Sequence, residues 1–139
     1  MATLPERAAA TDRVLRRFRN RAFDWKTGAT CLHLLRAQLV QLGHRPPRIP
    51  QFRSALGAKR AMERAGFADL AAAVDSVLPL RIPPAAMLVG DIGLLPGDEF
   101  DALVISVGGK VIGWHGSDLS KLAVIAGVPL SSFIAAWRV

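Results

Sequence analysis

Phe-Asp-Trp-Lys-Thr-Gly-Ala-Thr-Cys-Leu-His-Leu-Leu, residues 23–35, joins an aromatic loop to an apolar helix and contains the only cysteine of the chain. Thr30 is placed to cap the helix, because its hydroxyl can accept a hydrogen bond from a free N–H group of the first turn. Leucines recur at helical spacing up to Leu42, and Gly43 is typical of the position just beyond a helix end. The sequence therefore predicts a helix that begins at Cys31 and ends near Leu42.

Cys31 is open to two interpretations. The helix dipole and the free N–H groups of a first turn favour a thiolate, so Cys31 is a candidate nucleophile. A cysteine is also a small apolar side chain, and in the same place it could simply pack into the core. The sequence alone leaves both interpretations open.

Length and composition favour one folded domain spanning residues 1–139. The chain is 51% hydrophobic without a low-complexity segment, so it can bury a core. No apolar stretch approaches the roughly 18 residues of a membrane span, and no secretory signal is recognisable. We therefore expect a protein made in a cytoplasm, with no membrane span. One cysteine allows no internal disulfide and makes no zinc site by itself, and we predict neither a metal nor a cofactor.

Positive charge is concentrated in the first half of the chain. Residues 1–64 carry 14 Lys and Arg against 4 Asp and Glu, whereas residues 65–139 carry 4 against 7. A basic half favours an acidic partner, such as a nucleic acid, a membrane surface or an acidic protein face. It is also typical of helices whose solvent-exposed surface is simply rich in arginine.

The N-terminal part, residues 1–22, is predicted to be a basic helix. Thr11 or Asp12 can cap it after a frayed start, and its arginines cover the exposed side. No glycine-containing turn joins it to a second helix that would enter a DNA groove, so a helix-turn-helix protein is not favoured. We expect this helix to face solvent or another protein.

The middle part, residues 23–80, holds the Cys31 helix and two supporting helices. Ser54 caps the first of these, and Leu56 is predicted to face inward. Asp69 opens the second, which is predicted to extend to about residue 78. These helices carry no recognisable chemistry.

The last part, residues 81–139, consists of short β-like runs separated by glycine and proline. The Gly108-Gly109 pair between two apolar runs is typical of a hairpin turn. Residues 130–139 are predicted to form a helical turn that returns Trp137 and Val139 to the body. Helices followed by a small antiparallel sheet make an α+β fold. Four strands are predicted, at residues 91–95, 102–107, 111–114 and 122–125.

The order of several short motifs resembles the NlpC-type papain-like cysteine endopeptidases. More closely, it is similar to small proteins encoded in tail modules of phages, prophages and gene transfer agents. That group shows a Phe-x-Trp-Gly-x-x-Asp-Cys start, a Gly-Asp-hydrophobic strand and a terminal Ala-Trp-Arg-Val. This chain has Thr30 before the cysteine and one extra residue between Trp25 and Cys31. The resemblance covers about residues 20–139 and implies a papain-like fold, with N-terminal helices packed on a small antiparallel sheet. The matching residues are Phe23, Trp25, Cys31, Gly90-Asp91 and residues 136–139.

The chain departs from this pattern at the position of the catalytic base. The resemblance implies a histidine base at the start of the strand before the glycine turn, and that position falls at Asp101 or Ala102. Thiolate attack on a peptide carbonyl requires a base within hydrogen-bond reach. Two of the three histidines lie on or just beyond the Cys31 helix and face elsewhere. His115 is therefore the candidate base for Cys31.

Three function classes follow. The first is a non-catalytic structural component of a phage or phage-like tail tip or baseplate, located in the virion, with other tail proteins such as hub or baseplate subunits as partners. The second is a tail-associated cysteine endopeptidase that binds and cleaves peptidoglycan peptides with Cys31 and His115. The third is a basic nucleic-acid-binding protein, which only the charge favours. The missing histidine at Asp101 or Ala102 favours the first class.

Overall fold

The computed structural model describes residues 2–139, which form four α-helices and one five-stranded antiparallel sheet. The α+β class predicted from the sequence is confirmed. The helices are α1 Leu4–Phe18, α2 Cys31–Gln41, α3 Ala55–Arg64 and α4 Leu70–Asp75. The strands are β1 Ile92–Leu95, β2 Ala102–Ser106, β3 Val111–Gly113, β4 Ala123–Ile125 and β5 Ala135–Trp137, with short 3₁₀ turns at Pro84–Ala86 and Leu130–Ser132.

The strand order is β4-β3-β2-β1-β5, so β1 to β4 form a meander and β5 returns to pair with β1. Ile92 of β1 lies between Ile105 of β2 and Trp137 of β5. Gly108 and Gly109 join β2 to β3 at positive φ, 84° and 80°, as two-residue hairpin turns require. The predicted hairpin is confirmed, and the ends of the four predicted strands lie within one residue of those observed.

The helices cover one face of the sheet. α1 packs on α2, and α2 packs across β2. Because strand side chains alternate between faces, a second, smaller apolar cluster lies on the other face. The main core includes Phe18, Leu34, Ile105, Trp114 and Trp137, and the smaller cluster contains Leu95, Ala102, Val104 and Val111.

α1 begins and ends earlier than the sequence predicted. Thr3 caps the helix, because its hydroxyl accepts a hydrogen bond from the Glu6 N–H group at 3.3 Å. Thr11 and Asp12, the predicted caps, therefore lie inside the helix rather than at its start. The helix ends at Phe18, and the residues that follow form a turn and a loop instead of continuing the predicted helix.

α3 and α4 have the predicted caps, but the buried side of α3 and the length of α4 differ from the prediction. The Ser54 hydroxyl accepts a hydrogen bond from an N–H group of the first turn of α3, as an N-cap does. The prediction that Leu56 faces inward was wrong, because the small side chains of Ala55 and Ala58 form the buried side of this helix. α4 is shorter than predicted and ends at Asp75.

The C-terminal segment forms a strand where the sequence predicted only a helical turn. After the 3₁₀ turn Leu130–Ser132, β5 pairs with the free edge of β1. The strand was missed because three residues are too few to show an alternating pattern. Trp137 is fully buried, so its predicted return to the body is confirmed.

Candidate functional site

Cys31 is the first residue of α2 and follows the Thr30 cap directly. The Thr30 hydroxyl accepts a hydrogen bond from the His33 N–H group at 3.3 Å, which confirms the predicted cap. Cys31 Sγ lies 3.8 Å from the Asp101 carbonyl oxygen, just before the start of β2. Only 2% of Cys31 is exposed. The thiol is therefore enclosed between the helix and the strand, with a backbone carbonyl as its hydrogen-bond acceptor.

Burial raises the pKa of the Cys31 thiol from its ordinary value of 9.0 to about 11. Backbone hydrogen bonds, chiefly with Leu103, act in the opposite direction but are weaker, and the charge of Asp101 raises the pKa further. At pH 7 the thiolate fraction is consequently about 100-fold lower than that of an exposed cysteine. The helix N-terminus, which favours a thiolate, does not overcome the cost of desolvation here.

A cleft of about 510 Å³ opens beside Cys31. It lies where the end of β1, the start of β2 and the end of β3 meet, and its walls include Asp101, Ala102 and His115. The structure therefore brings the candidate nucleophile and the candidate base to one cleft. The strand position at which the resemblance implies a histidine lies in the same cleft.

His115 forms no hydrogen bond with Cys31 among the residues that the structure describes. Its Nε2 atom donates a hydrogen bond to the Pro96 carbonyl oxygen at 3.0 Å, because a carbonyl can only accept. That proton leaves Nδ1 as the ring nitrogen that could act as a base, and no hydrogen bond joins Nδ1 to the thiol within residues 2–139. The half-buried Asp101 accepts a loop N–H hydrogen bond from Gly97 at 3.2 Å. The side chains of Asp101 and His115 are thus engaged with backbone rather than with the thiol.

The other two histidines are not among the residues that line the cleft in the described part of the chain. His33 Nδ1 lies 2.8 Å from the Thr30 hydroxyl. Burial, and then the charges of nearby arginines, lower the pKa of His33. His44 follows α2 and is exposed. Of the three histidines, His115 therefore remains the candidate base, because it lines the cleft together with Cys31.

Aromatic side chains of the loop before α2 form one wall of the cleft. The rings of Phe23 and Trp25 meet edge to face at 5.5 Å, and Trp25 meets Phe100 of the opposite wall at 5.4 Å. Trp114 lies 5.8 Å from Phe23, and its Nε1 donates to the Arg21 carbonyl oxygen at 3.0 Å. Edge-to-face pairs of this kind are favourable beyond simple burial. The loop is therefore held against the sheet by its aromatic residues.

The Gly90-Asp91 motif lies at the other end of β1 and belongs to a buried ion network. Asp91 is fully buried and accepts hydrogen bonds from the guanidinium groups of Arg7 and of Arg138, the latter at 2.8 Å. The N–H groups of Leu88 and Val139 donate to the same carboxylate at 2.8 and 3.1 Å. Arg7 itself is only 1% exposed. Donors from α1, the loop before β1 and the C-terminal segment thus converge on one carboxylate.

Gln38 of α2 connects this network to the helices. Its Nε2 donates to the Thr11 hydroxyl at 2.9 Å and to the Gly90 carbonyl oxygen at 3.1 Å. Gly90 has a φ of 92°, and a Cβ there would lie 3.0 Å from Gln38 Nε2, so glycine is required. Sequence reasoning missed Arg7 and Gln38, since a polar residue on an amphipathic helix is normally assigned to the exposed face.

Trp137 of the terminal Trp-Arg-Val motif is anchored by a separate ion pair. Its Nε1 donates to Asp75 Oδ1 at 2.8 Å. Arg81 pairs with Asp75 at 2.7 Å and also covers the indole, with Cζ 5.4 Å from the ring centroid. Hydrogen bonds from Arg81, and then from Trp137, lower the pKa of Asp75 to about 2.

The residues of the resemblance therefore fall into two groups. Phe23, Trp25 and Cys31 line the cleft. Gly90-Asp91 and the terminal motif lie at the opposite end of β1, because the register pairs its last residue with Ala102 at the cleft. The four residues of β1 separate the two groups by roughly 13 Å. The second group supports the sheet and has no contact with the cleft within residues 2–139.

The described residues, 2–139, contain no group of three or more His, Cys, Asp or Glu side chains that could hold a metal ion. None of the helices that these residues form has the length and apolar character needed to cross a membrane.

The chain matches no curated protein and no solved structure. A family model described as a domain of unknown function, DUF6950, matches residues 3–139. Because this match extends over nearly the whole chain, the protein belongs to the DUF6950 family.

Proposed function

We propose that this protein is a catalytically inactive, papain-like domain of the NlpC type that serves as a structural component of a phage or phage-like tail tip or baseplate. After synthesis in the bacterial cytoplasm it would be incorporated into the virion, with other tail proteins such as hub or baseplate subunits as partners. The geometry around Cys31 supports an inactive cleft. The resemblance of the motifs supports a location in a tail.

The burial of Cys31 is the observation that carries the proposal. A cysteine nucleophile needs an accessible thiolate and a base within hydrogen-bond reach. Cys31 is instead almost fully buried, its pKa is raised to about 11, and its thiol donates to a backbone carbonyl. The position implied for the base is held by Asp101 or Ala102. These features favour a cleft in which the cysteine contributes packing and no chemistry.

The relation between α2 and β2 supports the papain-like part of the proposal. The resemblance implies a helix that presents a cysteine from its N-terminus to a neighbouring antiparallel strand. Cys31 lies in this way against the residues before β2, and His115 follows β3, the next strand. The Asp91 network would be retained in an inactive member of such a group, because it stabilises the sheet at the end away from the cleft.

α1 provides a surface for protein partners. Its arginines at positions 13, 16 and 17 are exposed, and the Asp12 carboxylate pairs with Arg16 at 2.9 Å. Arginine is enriched at protein interfaces, where its planar group makes several hydrogen bonds. The positive charge of this face fits an acidic surface on a neighbouring tail subunit.

A tail-associated cysteine endopeptidase that acts on peptidoglycan peptides is the second candidate. It is favoured by the presence of Cys31 and His115 in one cleft of about 510 Å³, a size typical of ligand sites. For catalysis, the Nδ1 atom of His115 would have to come within hydrogen-bond reach of Cys31 Sγ, and Cys31 would have to become accessible. Nucleic-acid binding has only the net charge in its favour, and DNA affinity without salt dependence would exclude it.

The alkylation rate of Cys31 by iodoacetamide, measured between about pH 5 and pH 10, distinguishes the two main candidates. For an inactive cleft, we expect the native rate at pH 7 to be at least about 100-fold below the rate in denatured protein, because of the raised pKa and the burial. The matched control is the double variant Cys31→Ala/Val40→Cys, which moves the single thiol to an exposed position on α2. Its native and denatured rates should be similar.

A native rate that stays fast well below the ordinary thiol pKa of 9.0 would overturn the inactive assignment. The peptidase candidate then predicts release of peptides from purified peptidoglycan. Cys31→Ala and His115→Ala should each abolish that release while leaving the circular dichroism spectrum unchanged.

A further inference from the structure

The two edges of the sheet differ in how their backbone groups are satisfied. At the β5 edge, the Ile82 N–H group donates to the Ala136 carbonyl oxygen at 2.9 Å, and the Arg138 N–H group donates to the Leu80 carbonyl oxygen at 3.0 Å. At the β4 edge, the strand pairs with β3 on one side, and no second backbone partner is found among residues 2–139. An open edge is a template for a further strand.

The β4 edge lacks two of the features that usually prevent strand addition, charged side chains and proline. Residues 122–128 contain no charged residue and no proline. Val124, at the centre of the strand, is 50% exposed. On the other face of the strand, Ile125 lines a groove of about 550 Å³ that also exposes Leu130. The edge is therefore both open and apolar.

We propose that β4 pairs antiparallel with β4 of a second copy of this chain, across a two-fold axis that passes through Val124. In this register Ala123 of one copy faces Ile125 of the other, and none of the three strand residues is charged, so no like charges are opposed within the strand pair. In this register the backbone N–H and C=O groups on the open side of β4 can pair with those of the second copy, whichever residues direct these groups outward. Either the two Val124 residues exchange hydrogen bonds, or Ala123 and Ile125 exchange them across the axis.

Three observations select a second copy as the occupant. The strand is complementary to itself in sequence, and a two-fold contact closes at a dimer. The excess of positive charge that would oppose self-association lies in residues 1–64, whereas β4 belongs to the half that carries more acidic than basic residues. The two apolar grooves beside Ile125 would also join across the new strand pair. This inference is independent of the proposed function, since it does not involve the cleft.

Sedimentation velocity of the full chain between about 1 and 500 µM tests the proposal, because a contact of short strands should have a dissociation constant in the micromolar range. We expect the mass to rise from that of one chain toward twice that value. Val124→Lys places two like charges opposite each other and should raise the dissociation constant at least about tenfold. Val40→Lys is the matched control, because Val40 is also a half-exposed valine, at 46%, but lies on α2. It should leave dimerisation unchanged.

Oxidative cross-linking tests the register directly and does not depend on the lysine variant. Cys31 is buried, so Val124→Cys supplies the accessible thiol, and its two copies would face each other across the axis. We expect a disulfide-linked dimer to form at least about ten times faster than with Val40→Cys. A chain that stays monomeric at 500 µM, a larger oligomer, or equal cross-linking of the two cysteine variants would overturn the proposal.

Discussion

Replacing Asp91 by asparagine tests whether the Gly90-Asp91 motif supports the fold or the chemistry of this domain. Asparagine has nearly the shape of aspartate and keeps one side-chain oxygen as an acceptor, but it removes the negative charge. Arg138 is partly exposed and can still reach water. Arg7 is enclosed, so its guanidinium would remain in the core without a counter-ion. The substitution should therefore destabilise the whole fold.

The expected loss follows from the burial of the pair. Removing one partner of a buried ion pair costs about 3–5 kcal/mol, because the remaining charge is left uncompensated in a medium of low dielectric. The Leu88 and Val139 N–H groups would also compete for the single remaining oxygen. For a domain of this length, such a loss corresponds to a fall in Tm of roughly 10–20 °C. Arg7→Met should cost less, since Asp91 keeps its other three donors.

Urea unfolding followed by circular dichroism measures the free energy of unfolding of each variant. The matched control is Asp12→Asn, which breaks the exposed pair with Arg16 and should change the free energy by less than about 0.5 kcal/mol. The reasoning is refuted if Asp91→Asn loses less than about 1 kcal/mol, or no more than Asp12→Asn. Unchanged cysteine alkylation in folded Asp91→Asn protein would further separate the motif from the cleft.

Two further substitutions test the Asp75 ion pair and the Thr30 helix cap. Because hydrogen bonds from Arg81 and Trp137 lower the pKa of Asp75 from 3.8 to about 2, this carboxylate stabilises the folded state above pH 3.8, and the contribution is lost as the pH falls through about 2. Asp75→Asn should therefore reduce stability at pH 7 and flatten its fall between pH 4 and pH 2 in urea titrations; an acid profile identical to that of the natural chain would contradict this. Thr30→Ala should cost about 1 kcal/mol or more, since it removes the cap of α2. The exposed Thr27→Ala in the same loop is its control, and equal losses in the two variants would show that the cap carries no stability.

The sequence predicted those parts of the fold that depend on local signals. The Thr30 cap and the Gly108-Gly109 turn are each determined by a few adjacent residues whose conformational preferences agree. The four strands of the meander were located to within one residue because glycine and proline separate them. The position of Cys31 at the start of α2 followed from the same local reasoning, whereas the position of the base was implied by the resemblance.

The parts that were missed depend on contacts between residues far apart in the chain. Arg7 looks like the other arginines of α1 until Asp91, 84 positions later, is folded against it. β5 has no strand pattern of its own and forms because β1 offers it a free edge. Leu56 is apolar but exposed, since α3 approaches the body through its alanines. No periodicity within a single segment contains this information.

Under the proposed function, the separation of the two groups of motif residues would allow the fold to be kept when the cleft has no catalytic role. Under the same proposal, the position implied for the base affects only the cleft, which Asp101 and Ala102 line. The Asp91 network, at the other end of β1, stabilises the sheet whether or not the cleft is active. Replacing Asp91 would destabilise every copy, active or inactive, whereas the base is needed only for catalysis. The part of the resemblance carried by Gly90-Asp91 and the terminal motif therefore concerns the stability of the sheet, and the test of activity lies with Cys31.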